Sequence, residues 1–181
     1  MRKPSVDANR TLPIQDDDHV TGPDTAAITL VAYCDFECPY CARAFPIIKR
    51  LQARLRDRLR FVFRHFPLTT KHAHAQQAAE AAEAADAQGE FWAMHDLLFE
   101  NQDALEEGDL YAYAEFLDLD VGRFERELVS RVHEQRVDRD VVSGRRSGVS
   151  GTPTFFINGL RHTDEEILER VILDMSERRP A

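Results

Sequence analysis

CDFECPYC, residues 34–41, holds all three cysteines of the chain, and how they are grouped decides the fold. Grouped as Cys34-x₃-Cys38-x₂-Cys41, they spell the three-thiolate pattern of a radical-type iron–sulfur site. Grouped as Cys38-Pro39-Tyr40-Cys41 alone, they spell a redox switch that opens and closes one disulfide. The flanking segments choose between the two.

Immediately before the motif, AITLVAY (27–33) is a short apolar, β-branched run that suits a buried strand. Immediately after it, Ala42, Phe45, Ile48, Leu51 and Leu55 recur at helical spacing. Pro39 falls in the first turn, where a missing N–H costs nothing. Pro46 lies inside the helix and removes the hydrogen bond to the Ala42 carbonyl, so a kink is expected. LRFVFRHF (59–66) reads as a second strand, with Phe61 and Phe63 on one face and Val62 on the other. Residues 71–146 then carry only helical patterns. They begin with an alanine stripe at 75, 78, 79, 82 and 85 that Gly89 ends, and continue through FWAMHDLLF, GDLYAYAEFL with Asp109 as its cap, and a segment from Asp120. SGVSGTPT (147–154) breaks regular structure, and TFFING (154–159) reads as a strand ending in an Asn-Gly hairpin turn. The closing segment shows capping-box spacing at Thr163 and Glu166.

The order is therefore β-α-β, a helical block, then β-hairpin-α. Four segments follow: an N-terminal arm over 1–20, one α/β domain split between 21–70 and 147–181, and a helical insertion over 71–146. A radical-type barrel needs about 250 residues of repeated strand–helix units, and the two strands before the helical block and two after it do not supply them. The dithiol reading finds support in three separate places. A strand delivers Cys38 to a helix N-terminus, whose partial positive charge stabilises a thiolate and is expected to depress the thiol below a free cysteine's ~8.5. Cys41 lies one turn further in, within reach of Cys38 and less accessible. Thr152-Pro153 sits before a strand in a glycine-flanked loop suited to an unusual peptide geometry.

Through LVAYCDFECPYC, FRHFPLTT, the HAHAQQAAEAAEAA…FWAMHDLLF block and SGVSGTPTFFING, the chain resembles the DsbA-like branch of the thioredoxin superfamily. The likeness runs from about Asp18 to Leu173. It implies a mixed α/β thioredoxin fold interrupted by a helical cap. It also implies thiol–disulfide exchange with Cys38 as nucleophile and Cys41 as resolving thiol, with Pro153 cis beside them. Thr152, Pro39 and Tyr40 would meet the substrate. Protein or small thiol and disulfide clients are implied, with a redox partner to recycle the pair. No cofactor is expected beyond the Cys38–Cys41 disulfide, and no metal.

Several positions depart from the family pattern. Strongly oxidising members carry a histidine where this chain has Tyr40, and Cys-Pro-Tyr-Cys is typical of glutaredoxins. The expected potential is therefore roughly −200 to −230 mV rather than about −120 mV. Relatives commonly carry a proton-shuttling glutamate where this chain has Ala32; either a bound water or another carboxylate, with Asp35 the candidate, replaces it, or the resolving step is slower. Asp35 and Glu37 are also anions near the thiols. Cys34 reads as a small half-buried residue at a strand end, or as a backup partner for Cys38. His65, His72 and His74 read as structural or capping residues rather than a metal cluster, and Trp92 and His95 as core.

Net charge of −9 and a pI near 5.2 exclude the basic footprint of a nucleic-acid binder. The basic run from Lys49 to Arg60 reads as a solvated helix face. No apolar run has membrane-spanning length, so no membrane partner is expected. With the first Met taken as native, a cytoplasmic protein is expected; an exported chain trimmed of its leader would read the same. Two other function classes fit the residues: a metal or iron–sulfur carrier on Cys34, Cys38 and Cys41, and a chaperone-like peptide-binding module.

Overall fold

The structure is a computed structural model and describes residues 10–162 together with 168, 170, 172 and 173. The capping box at Thr163 and Glu166 lies outside the described residues. Five strands form one mixed sheet: β1 (His19–Thr21), β2 (Ile28–Cys34), β3 (Leu59–His65), β4 (Thr154–Ile157) and β5 (Leu160–His162), in the order β1-β3-β2-β4-β5. β2 pairs parallel to β3 and antiparallel to β4, so it is the centre of the sheet. Its residues are buried on both faces, which explains why ITLVAYC is a continuous apolar run rather than an alternating one.

The helix after β2, α1 (Pro39–Leu55), turns Cys41, Ala44, Ile48, Leu51 and Leu55 inward, with Pro46 inside it and exposed. The helical segment holds five helices: α2 (Ala75–Asp86), α3 (Phe91–Glu100), α4 (Glu107–Phe116), α5 (Val121–Ser130) and α6 (Glu134–Arg146). The alanine stripe of α2 is fully buried, and small side chains let α3, α5 and α6 pack against it. Glu106, not Asp109, is the N-cap of α4. Asp109 sits at the third helical position and its carboxylate accepts from the Glu106 N–H at 3.0 Å, completing a capping box.

The sheet divides two cores. Phe61, Phe63 and Leu30 face α1 and the helices α2–α5, while Val31, Tyr33, Val62, Phe66 and Phe156 face the other way. α6, besides meeting α2, covers that second face. It approaches so closely at Gly144 that a Cβ there would lie 2.8 Å from the Phe66 ring. The Asn-Gly turn joins β4 to β5 with both residues in the left-handed region (φ 47° and 82°), as a type I′ hairpin requires.

Two findings depart from the expectations. The chain has a strand, β1, before the first one expected, paired antiparallel with β3. And the second half of the arm is pinned, not loose. The Arg64 guanidinium, on β3 and 2% exposed, donates to both Asp18 oxygens at 2.7 and 2.6 Å. It also donates to the Pro13 carbonyl at 2.9 Å. Among the described residues, no helix is long and apolar enough to cross a membrane.

Candidate functional site

β2 ends at Cys34, and the turn that follows is built by Asp35. Its carbonyl accepts from the Cys38 N–H (3.1 Å), and its Oδ1 accepts from the Glu37 N–H (2.8 Å). Its Oδ2 reaches across to the FPLTT loop, accepting from the Leu68 N–H (2.8 Å) and meeting His72 Nδ1 at 2.7 Å. Glu37 does the same for the next residues, meeting the His74 N–H at 2.6 Å and Nδ1 at 3.1 Å. The two acids of CDFEC thus tie the cysteine turn to the start of the helical segment. Asp35 is not the replacement for the acid absent at Ala32, because both its oxygens are bound away from the sulfurs. Only its backbone N–H points at Cys41 Sγ, at 3.5 Å.

Gln102, from the loop after α3, closes the turn from the other side by donating to the Phe36 carbonyl and, at 3.0 Å, to the Cys38 carbonyl. Sequence reading missed it: a lone glutamine between helices carries no signal until the fold brings it to the motif.

Cys38 caps α1 and is 2% exposed, while Pro39 and Tyr40 stand exposed beside it. Its Sγ–H donates to the Thr152 carbonyl at 3.4 Å. The Thr152–Pro153 peptide bond is cis. Cys38 and the TP loop, 114 residues apart in sequence, therefore meet at the sulfur. Cys41 is 1% exposed and Cys34 4%; all three thiols are free. The Arg43 guanidinium lies 4.4 Å from the centre of the Tyr40 ring.

The electrostatics run against the expected depression of Cys38. Its hydrogen bond with Cys41, and then burial, push the Cys38 thiol above its ordinary range; Thr152 and the Cys41 N–H pull the other way. Burial first, then contact with Cys34, pushes Cys41 up as well. The helix N-terminus does act on the pair, but it is outweighed. Two thiols in one dry site give up protons in sequence, and a second thiolate would form beside the first.

The histidines are dispersed. His72 and His74 serve Asp35 and Glu37, whereas His65 meets Glu83 Oε1 at 2.8 Å, opposite His19 at 2.7 Å. His19, His65 and Glu83 are the one set of three ligand groups within 4.8 Å of one another among the described residues; the three cysteines form no such set. Arg136 Nε stands 3.8 Å from the same Glu83 oxygen, a cation where a metal ion would need none. Hydrogen bonds between both histidines and Glu83 hold the cluster together.

The family model described as thioredoxin matches residues 15–172. Two curated relatives are named Na⁺/H⁺ antiporters: NhaA 3 of Salinispora tropica, 54% identical over 147 residues, and NhaA of Herminiimonas arsenicoxydans, 48% identical over 144. These matches cover 81% and 80% of this chain but 22% and 23% of the relatives, so the chain spans less than a quarter of their length. Among solved structures, oxidised BdbD from Bacillus subtilis is similar with a TM-score of 0.81 at 23% identity, covering 93% of this chain and 98% of that one. A thioredoxin-like oxidoreductase from Silicibacter pomeroyi has a TM-score of 0.75 at 23% identity, covering 92% and 95%. Wolbachia pipientis α-DsbA1 has a TM-score of 0.73 at 21% identity, covering 91% and 92%. A model matched over most of the chain, together with a sheet-and-insertion architecture shared along nearly its whole length, makes this chain a member of the thioredoxin family with a DsbA-like fold.

Proposed function

We propose that the chain is a thiol–disulfide oxidoreductase working through Cys38 and Cys41. The observation that carries this reading is the meeting of Cys38 Sγ with the Thr152 carbonyl, which sets the outer thiol against the edge of the TP loop. In the reducing direction, the Cys38 thiolate attacks a client disulfide, forming a mixed disulfide and releasing one client thiolate. Cys41 then attacks Cys38 Sγ, closes the Cys38–Cys41 bond and releases the second client thiolate. The oxidising direction is the reverse. Thr152 offers backbone groups to an extended client segment, with the exposed Pro39 and Tyr40 forming the near wall. Clients are protein or small-molecule disulfides, and a separate redox partner recycles the pair. Antiport, named for the relatives, is a property of those larger proteins.

Because burial and the neighbouring sulfur hold the thiols up, the reductive half-reaction should accelerate as pH rises through and beyond neutrality. Insulin reduction with wild type, Cys38→Ser and Cys41→Ser tests the reading. The first variant should lose turnover altogether, and the second should accumulate covalent adducts at Cys38. Turnover that persists without Cys38 would defeat it.

A further inference from the structure

A buried thiol that must attack as a thiolate needs somewhere to send its proton, and Ala32 supplies nothing. The structure offers a route through a cavity that Cys41 itself lines. A cavity of about 50 Å³ lies between α1 and α3 and is lined by Cys41, Cys34, His95, Asp96, Lys49 and Gln52, its remaining walls mostly aromatic. At roughly 10–15 Å³ per water, it has room for a few molecules. His95 is held among Phe36, Phe63, Trp92 and Phe99, with ring centroids 4.7–5.7 Å away. Its Nδ1 stands 2.9 Å from Asp96 Oδ1, and the other Asp96 oxygen accepts from Lys49 Nζ at 2.6 Å. A neutral imidazole that donates from Nδ1 keeps its lone pair on Nε2. The Asp96 contact therefore selects the tautomer that can accept a proton and would steady the imidazolium once formed.

We propose that His95, through water in this cavity, receives the proton that Cys41 loses as it resolves the mixed disulfide. The proposal rests on the oxidoreductase reading above and adds a residue to it. Cys41 Sγ–H gives its proton through water to His95 Nε2 and its electron pair to Cys38 Sγ. The Cys38–client bond breaks, the client departs as a thiolate, and the imidazolium returns the proton through the cavity to that thiolate or to solvent. His95 and Asp96 are positioning residues, since neither touches the reacting sulfurs. The groups facing His95 are Asp96 on its own helix, Lys49 from α1, His65 from β3, and the two thiols across the cavity. Burial favours the neutral form of His95, which keeps its lone pair free; Asp96 opposes that shift, while Lys49 and His65 add to it.

An aromatic disulfide such as dithiobis-nitrobenzoate separates the steps by stopped flow. The first chromophore released reports attack by Cys38 and the second reports resolution by Cys41. In His95→Gln the second phase should slow at least about tenfold near neutral pH and lose the inflection that His95 gives it, with the first phase within about twofold of wild type. Asp96→Asn, which leaves the aromatic shell untouched, should shift the second phase the same way by a smaller factor. It decides the matter alone if His95→Gln does not fold. A second phase whose rate and pH profile match wild type in the variants that fold overturns the proposal while leaving the oxidoreductase reading standing. A wild-type protein with no first phase would overturn that reading and this proposal together.

Discussion

Removing Asp18 isolates the contribution of the arm. Arg64 is buried in the second core, and its fork meets both Asp18 oxygens within 2.7 Å, with the Asp18 side chain 3% exposed. Asp18→Ala leaves a guanidinium inside the protein without its counter-ion, which typically costs ~3–5 kcal/mol. Arg64 keeps the Tyr33 hydroxyl at 2.8 Å and the Pro13 carbonyl at 2.9 Å, so the low end, about 3 kcal/mol, is the expected loss. For a domain of this size each kcal/mol moves Tm by roughly 2–4 °C, giving a fall of about 6–12 °C. Thermal and urea unfolding of Asp18→Ala, Arg64→Met and the double variant would measure it. The double variant should recover part of the loss, because no unpaired charge remains. The arm covers the sheet face opposite α1, so the rate of exchange at Cys38 below the transition should not change. A loss under about 1 kcal/mol would refute the claim that the pair anchors the arm.

Two further outcomes are expected. Burial pushes Glu83 up, but the hydrogen bonds from His19 and His65 outweigh it and hold the carboxyl far below the usual carboxylate range. The stability this contributes is present above the unfolded value of ~4.3 and is lost as pH falls below it. Glu83→Gln should therefore unfold at lower denaturant than wild type at neutral pH, with the gap narrowing as the medium is acidified; a gap that stays constant would contradict the linkage. Tyr40→His places a titratable donor at an exposed position beside Cys38 without disturbing the core. The potential should move in the oxidising direction, by tens of millivolts at ~30 mV per 1.4 kcal/mol of thiolate stabilisation; an unchanged potential would show that this position does not tune the pair.

What was legible in the sequence is what local pattern encodes. The helical phase of Ala42 to Leu55, the strand run before Cys34, the opposed faces of Phe61 and Val62, and the Asn158-Gly159 turn each follow from residue spacing or backbone preference. What escaped is what depends on distant partners. HVT is too short to announce β1 and becomes a strand because β3 offers an edge. α6 reads as one more amphipathic helix, and only Gly144 against Phe66 and Tyr33 places it on the sheet's far side. Asp18 in an acidic run is indistinguishable from a solvated residue until Arg64 reaches it. At the site, local pattern singled out Cys38, Cys41 and the TP loop, and the fold brings Cys38 and Thr152 together. It could not show that both carboxylates of CDFEC are spent on the FPLTT and HAH segments, that Gln102 clamps the turn, or that Cys41 raises the proton affinity of Cys38.

The proposed exchange requires that one bond form between Cys38 and Cys41 and that no other thiol take part. Equilibrating the protein across glutathione ratios, quenching by alkylation and mapping the cysteines by mass measures this directly. One two-electron transition at roughly −200 to −230 mV is expected, joining Cys38 to Cys41 while Cys34 stays alkylated throughout. A bond through Cys34, or a Cys38 that remains a free thiol under oxidising ratios, would contradict it.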